Sequence, residues 1–261
     1  MPKATASQIK KWEQQAVSTA THAAALIRQN LTQNAGLRVK SSPTDVVTQT
    51  DLDSERLIRA ELLEAAPDVG IIGEEENDVN PQASLQWIID PLDGTVNFTY
   101  GIPLFAVSIA AAYHGTLVAG AVVDVLRDET FSAGLGLGAR CNGEPLNSST
   151  CLHLESALIT TGFSYDSSTR RAQGEVVARL LPHVRDVRCF GSAALQMCWL
   201  AAGRVDGYYE RDTKIWDYAA GALICEETGT VVELQCPEND NLVIGAPPSI
   251  FTALRRQIQI R

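Results

Sequence analysis

Two aspartates three positions apart, Asp90 and Asp93, are the residues in this 261-residue chain best placed to do chemistry. They lie in the stretch Trp87-Ile-Ile-Asp-Pro-Leu-Asp-Gly-Thr95. That spacing lets a tight turn point both carboxylates at one centre. Gly94 permits close backbone approach, and Thr95 is a good N-cap for a following helix. Two acids beside a helix N-terminus can hold a divalent cation and a phosphate together. An ordinary strand-to-helix turn uses the same residue types, so the stretch alone does not decide between them.

Three further stretches put an acid where an apolar element ends or begins: Thr50-Asp51, Gly73-Glu74 and Trp216-Asp217. A hard cation such as Mg2+ wants oxygen ligands in octahedral geometry. Ligands from separated elements are how a folded protein builds such a site, whereas a disordered acidic tract would cluster its acids in sequence. Taken singly, Asp51 and Asp217 read as capping aspartates, worth about 1 kcal/mol each. Glu75 and Glu76 read as solvated neighbours.

The elements that must position these acids follow from periodicity. Trp87, Ile88 and Ile89 predict a strand buried on both faces. Asp90 then falls at its carboxyl end, with Pro91 stopping the ladder. Helical spacing covers residues 7–33, and Thr50 is expected to cap a helix over 51–66. Residues 39–45 read as a loop or hairpin and 46–48 as a short strand. Strands over 105–113 and 117–125 form a hairpin, and 129–133 and 139–141 add short strands. Gly134–Gly138 between them is a turn, since it lacks the spacing and the βαβ context of a dinucleotide loop. In the second half, strands over 157–161, 187–190, 206–209, 230–234 and 242–244 alternate with helices over 169–181, 192–202, 215–227 and 249–258. This predicts an α+β N-terminal half with a mostly antiparallel sheet (1–145) and a smaller α/β C-terminal half (146–261). No linker separates them, so the halves should share a tight interface.

Composition narrows the partners. With 21 basic against 31 acidic residues the net charge is −10, which argues against a nucleic-acid polymer or an anionic membrane surface. An acidic protein can still bind phosphate if metal ions reverse the local sign. The six cysteines form no Cys-x-x-Cys pair and read as free, mostly buried thiols of a reducing compartment. The first residues lack an apolar leader, and no run reaches the ~20 apolar residues of a membrane span. The expectation is a cytoplasmic protein. The four histidines are scattered, which disfavours a His-based zinc site.

Together, Asp51, Gly73-Glu74-Glu75, Trp87 to Asn97 and Trp216-Asp217-Tyr-Ala-Ala-Gly221 resemble the inositol monophosphatase family. So do Lys40 to Asp51, Gly191-Ser-Ala-Ala-Leu-Gln-Met197 and Asp206-Gly-Tyr-Tyr-Glu210, and the likeness runs from about residue 9 to 258. The resemblance implies a five-layered αβαβα sandwich, usually dimeric, with two to three Mg2+ ions. Glu74, Asp90 and the Leu92 carbonyl would hold a first ion, and Asp90, Asp93 and Asp217 a second. A third would lie near Glu74, with Asp51 further out. Glu74 and Thr95 would orient and deprotonate a water. Amides of Gly94 and Thr95 would bind phosphate, while Gly191, Ser192, Ala193 and Glu210, with Asp93 and Asp217 beside them, would face the substrate.

The implied reaction is hydrolysis of a phosphate monoester, inositol monophosphate or a related polyol or sugar phosphate. Fructose 1,6-bisphosphate, histidinol phosphate and 3′-phosphoadenosine 5′-phosphate stay open as substrates. Glu210 favours a neutral polyol, whereas Arg211 and Lys214 leave a bisphosphate possible. A haloacid-dehalogenase-type phosphatase is disfavoured because Pro91 stands where its nucleophilic aspartate would be. A non-catalytic, metal-binding regulatory protein is the alternative from another class. It would keep the acids but have no need of Thr95.

Overall fold

Reciprocal capping starts the first helix, α1 (Ala6–Asn30): Thr5 accepts from the Gln8 amide and Gln8 accepts from the Thr5 amide. Its buried face is built from small residues, Ala16, Ala20, Ala23 and Ala24, with Ile9 and Ile27, which lets the helix approach a sheet closely. The computed structural model describes residues 3–31, 37–39, 46–235 and 241–259. Strands β1 (Leu37–Val39) and β2 (Val46–Thr48) pair antiparallel. Residues 40–45, expected as a loop or hairpin, lie outside the described residues.

Helix α2 (Gln49–Ala65) begins two residues earlier than the pattern suggested. Thr48, not Thr50, caps it, because Asp51 falls at the third helical position and returns a bond to the Thr48 amide at 2.9 Å. A capping box is therefore present, with aspartate in the role usually given to Glu or Gln.

The larger sheet takes seven strands in chain order: β3 (Gly70–Gly73), β4 (Leu85–Asp93), β5 (Ala106–Tyr113), β6 (Thr116–Asp124), β7 (Glu129–Gly134), β8 (Gly138–Cys141) and β9 (Glu144–Pro145). Only β3 and β4 run parallel. Pro91 does not end β4 as expected. The ladder to β5 skips from Asp90↔Ser108 to Asp93↔Ala106, and the proline, which has no N–H to donate, sits in the resulting bulge. The five-residue helix α3 (Thr95–Thr99) follows, with Gly94 at φ 97° in the cap position and Thr95 as the first helical residue.

The smaller sheet is mixed. Strands β10 (Leu158–Thr161), β11 (Asp186–Arg188), β12 (Gly207–Arg211), β13 (Val231–Gln235) and β14 (Leu242–Ala246) are ordered β11-β10-β12-β14-β13. β10 is parallel to β11 and β12, and β14 is antiparallel to both its neighbours. The helices between them are α4 (Ser167–Leu180), α5 (Ala193–Ala201) and α6 (Ile215–Glu226), and α7 (Pro248–Ile258) follows the last strand.

These elements stack as five layers: α1 and α2, the seven-stranded sheet, α5 and α6, the five-stranded sheet, then α4 and α7. Every residue of α5 is buried, which is what a helix with a sheet on each side requires. One continuous core runs from Ile88 and Val122 through Met197 and Leu223 to Val243. Small residues set the spacing within it. A Cβ on Gly221 would stand 2.7 Å from the Met197 Cβ, and one on Gly120 would stand 3.1 Å from the Ala220 Cα.

The five described cysteines, 141, 151, 189, 198 and 225, are free, but only Cys198 and Cys225 are buried. Cys236 lies outside the described residues. Among the described residues, no helix is long and apolar enough to cross a membrane.

Candidate active site

The bulge in β4 is what aims the acids. Asp90 is 2% exposed, and one of its oxygens accepts from the Leu92 amide at 3.0 Å. The extra residues then turn Asp93 toward the start of α5. There its carboxylate accepts from the Ser192 hydroxyl at 2.5 Å and from the amides of Ala194 and Ala193 at 2.8 and 3.2 Å. Ser192 also accepts from the Leu195 amide as the cap of α5, so one hydroxyl joins the two halves of the chain. On the other side, Ser54 of α2 donates to the Pro91 carbonyl at 2.8 Å and satisfies the bulge backbone.

Asp217 occupies the first turn of α6 and accepts from the Lys214 amide at 2.6 Å. Glu74 follows β3 in a turn that a second, unanticipated pair holds. The buried Glu55 carboxylate accepts from the amides of Glu75 and Glu76 at 2.8 and 3.0 Å. Arg59, also buried, pairs with Glu55 at 2.7 Å and donates to the carbonyls of Glu76 and Asn77. Gly73 is needed here, since a Cβ would stand 2.5 Å from Glu55 Oε1. A charged residue among Ile58 and Leu62 on the apolar face of α2 was the signal for this pair.

The electrostatics bind these acids into one group. Burial, then the charges of Glu74, Asp93 and Asp217, hold the Asp90 carboxyl well above the usual range. Asp217 is likewise raised by burial first and by Glu74 next, with the Lys214 amide opposing. Asp93 is pushed up to about 6 by burial, against the pull of its hydrogen bonds from Ser192, Ala194 and Ala193. Several desolvated carboxylates that repel one another suit a hard divalent cation, because all their donors are oxygen and each gains from a shared positive charge. Among the described residues, no three His, Cys, Asp or Glu side chains already stand at metal-cage spacing. Asp93 is turned onto Ser192 and the α5 amides instead, and Asp217 onto Lys214 N.

Thr95 does not cap α3. Its hydroxyl lies 2.9 Å from Asp51 Oδ1 and 3.1 Å from the Leu92 carbonyl oxygen. Asp51 is fully buried, and its second oxygen accepts from both the hydroxyl and the amide of Thr48. The cap of α2 thus fixes Asp51, and Asp51 fixes Thr95. The Leu92 carbonyl, which the family resemblance assigns to a metal, faces that hydroxyl.

Glu210, near the end of β12, accepts from the Tyr208 hydroxyl at 3.1 Å. A Cβ on Gly162 would stand 2.1 Å from Glu210 Oε1, so this glycine is what makes room for the carboxylate. Burial pushes Glu210 up to about 8, with the Tyr208 bond opposing and Asp93 adding to it. Gly94 and Gly191, both at positive φ, bring the halves together: a Gly94 Cβ would stand 3.1 Å from the Gly191 carbonyl. Asn97, to which the sequence assigns no role, locks this junction by donating to the carbonyls of Leu104 and Phe190 at 2.8 and 2.7 Å. Ser192 and Ala193, expected to face substrate, direct their donors to Asp93.

Comparisons with known proteins bear on the family and the fold. The sequence model of the inositol monophosphatase family matches residues 8–258. The inositol-1-monophosphatase of Mycobacterium bovis is 44% identical over 238 residues, covering 87% of this chain and 82% of that one. A Nus factor SuhB of Pasteurella multocida is 39% identical over 227 residues, 84% of each chain. The extragenic suppressor protein suhB of Bartonella henselae superposes with a TM-score of 0.88 at 33% identity, covering 94% of this chain and 97% of that one.

Proposed function

The chain belongs to the inositol monophosphatase family, and from there we propose that it is a Mg2+-dependent hydrolase of an inositol or related polyol monophosphate, acting by direct attack of water. The observation that carries this reading is the Thr95 hydroxyl set against Asp51, beside buried acids that raise one another. A purely regulatory metal-binding protein would have no use for that hydroxyl.

Glu74, Asp90, Asp93, Asp217 and the Leu92 carbonyl are the groups assigned to hold two to three Mg2+ ions. When bound, these supply charge neutralisation and a lowered water pKa. The chain's own residues do the rest. Thr95 directs its proton to Asp51 and so presents lone pairs to the attacking water. Glu74 accepts the water's proton. The water oxygen bonds to phosphorus, the ester P–O bond breaks, and the leaving alkoxide takes up a proton. Amides of Gly94 and Thr95 hold the phosphate, and Glu210 accepts from hydroxyls of the leaving group.

The two cations that kept a bisphosphate open each have a partner within the chain. Arg211 reaches back to the Ile258 carbonyl at 3.5 Å, at the end of α7 in the outermost layer. Lys214 pairs with Asp212 at 3.6 Å. Both contacts support a substrate with one phosphate and a neutral polyol. A cytoplasmic homodimer, and a chain divided at 145/146, belong to the same reading.

The test is phosphate release from inositol 1-phosphate, fructose 1,6-bisphosphate, histidinol phosphate and 3′-phosphoadenosine 5′-phosphate, with Mg2+ or with EDTA. The inositol ester is expected to be cleaved fastest, with no release in EDTA. Asp90→Asn should abolish turnover at any Mg2+ concentration while circular dichroism stays native. Near-normal turnover by that variant would remove Asp90 from the metal site.

A further inference from the structure

Beyond the acids, a second set of contacts joins the two loops that flank Glu210. Residues 162–166 follow β10 and lie over Glu210 through Gly162, as the missing Cβ at that position shows. Residues 212–214 follow β12 and lead from Glu210 to Asp217. Ser164 is 7% exposed and its hydroxyl donates to Asp212 Oδ2 at 2.6 Å. The same hydroxyl accepts from the Asp166 amide, while Gln173 of α4 accepts from the Ser164 amide at 3.0 Å. Asp212 is held from the far side too, its amide donating to the Asn241 carbonyl at 2.8 Å.

Asp212 stands at φ 65°. Glycine adopts that conformation freely, and aspartate is one of the few other residues that tolerates it. The backbone requirement alone would be met best by glycine. An aspartate there brings a carboxylate as well, and the carboxylate is bonded across to the other loop. We infer that Ser164 and Asp212 are positioning residues for substrate selection: their hydrogen bond sets the distance between the loop over Glu210 and the loop leading to Asp217. Through that distance it sets how Glu210 meets the hydroxyls of the leaving group. The inference rests on the hydrolase reading above and adds to it a device that acts on the leaving group and not on the phosphate.

Four variants separate the parts of Asp212. Asp212→Gly keeps the left-handed backbone and removes the tether. Asp212→Asn keeps backbone and tether but removes the charge beside Lys214. Ser164→Ala removes the tether and keeps that charge, and Ser164→Thr restores the hydroxyl. The measurement is steady-state kinetics with Mg2+ on two esters, inositol 1-phosphate and p-nitrophenyl phosphate, whose leaving group has no hydroxyls for Glu210 to accept. Asp212→Gly and Ser164→Ala should raise KM for the inositol ester about tenfold, the size of one net hydrogen bond, and leave kcat on p-nitrophenyl phosphate unchanged. Asp212→Asn and Ser164→Thr should keep KM near wild type. The Ser164→Ala/Asp212→Gly double variant should be no worse than either single one.

Equal losses on both esters, or a KM for the inositol ester that neither single variant moves, would overturn the tether while leaving the hydrolase reading intact. A wild-type protein that releases phosphate from neither ester would overturn both.

Discussion

Thr95 has one proton and two acceptors in reach, Asp51 Oδ1 at 2.9 Å and the Leu92 carbonyl at 3.1 Å. A carboxylate accepts more strongly than a peptide carbonyl, so the proton points to Asp51 and the lone pairs point elsewhere. Thr95→Ala should then lower kcat by about 100-fold, the low end for positioned proton transfer, and cost about 1–3 kcal/mol of stability, because the buried Asp51 carboxylate loses a donor. Thr95→Ser should retain most of the rate. An unchanged kcat in Thr95→Ala would take the hydroxyl out of catalysis. The chemical types of Asp51, Asp90, Asp93 and Asp217 were legible in the sequence because acids at the ends of apolar runs are conspicuous. Their partners were not. Ser192 bonds Asp93 across 99 positions, and Thr95 bonds Asp51 across 44, distances over which no local pattern carries information.

Among the elements, α2 does more than fill a layer. It supplies Asp51 from its first turn and, one turn on, the Glu55–Arg59 pair that grips the Glu74 turn. Both members are buried, so removing one charge leaves the other uncompensated. Glu55→Gln should destabilise the fold by about 3 kcal/mol and raise the Mg2+ concentration needed for half-maximal rate. Denaturant unfolding and a Mg2+ titration would check the two effects separately. On the other face of the sheet, Gly221→Ala must push Met197 aside and should cost about 1–3 kcal/mol as overpacking does. Most helices and strands were legible to within a few residues, since their periodicity survives in the sequence, whereas β1 and β9, three and two residues long, are too short to carry any. The β4 bulge was not. A proline reads locally as a stop, and only pairing that resumes at Asp93↔Ala106 shows the strand passing through it.

For the whole molecule, the raised acids set how stability depends on pH. Asp93 and Glu210 titrate near 6 and 8 in the fold, above exposed carboxylates, so the folded protein holds protons that the unfolded chain has released. Their contribution is fully present below about pH 4, the range of unperturbed carboxylates. It is lost as pH rises, through about 6 for Asp93 and about 8 for Glu210. Melting curves in EDTA should fall between pH 5 and 9. Added Mg2+ should flatten the part due to Asp93 and leave the part due to Glu210. Equal melting temperatures at pH 5 and 9 in EDTA would contradict the burial of these charges. The order of elements predicted an α+β half and an α/β half, and the five layers followed only from the family resemblance; the sharing of α5 and α6 between both sheets gives that order a cost in time. The seven-stranded sheet is complete by Pro145, yet the helices that cover its inner face end only at Glu226. At roughly 5–20 residues per second on the ribosome, the nascent chain carries an uncovered apolar face for about 4–16 s, the interval in which a chaperone would have most to bind.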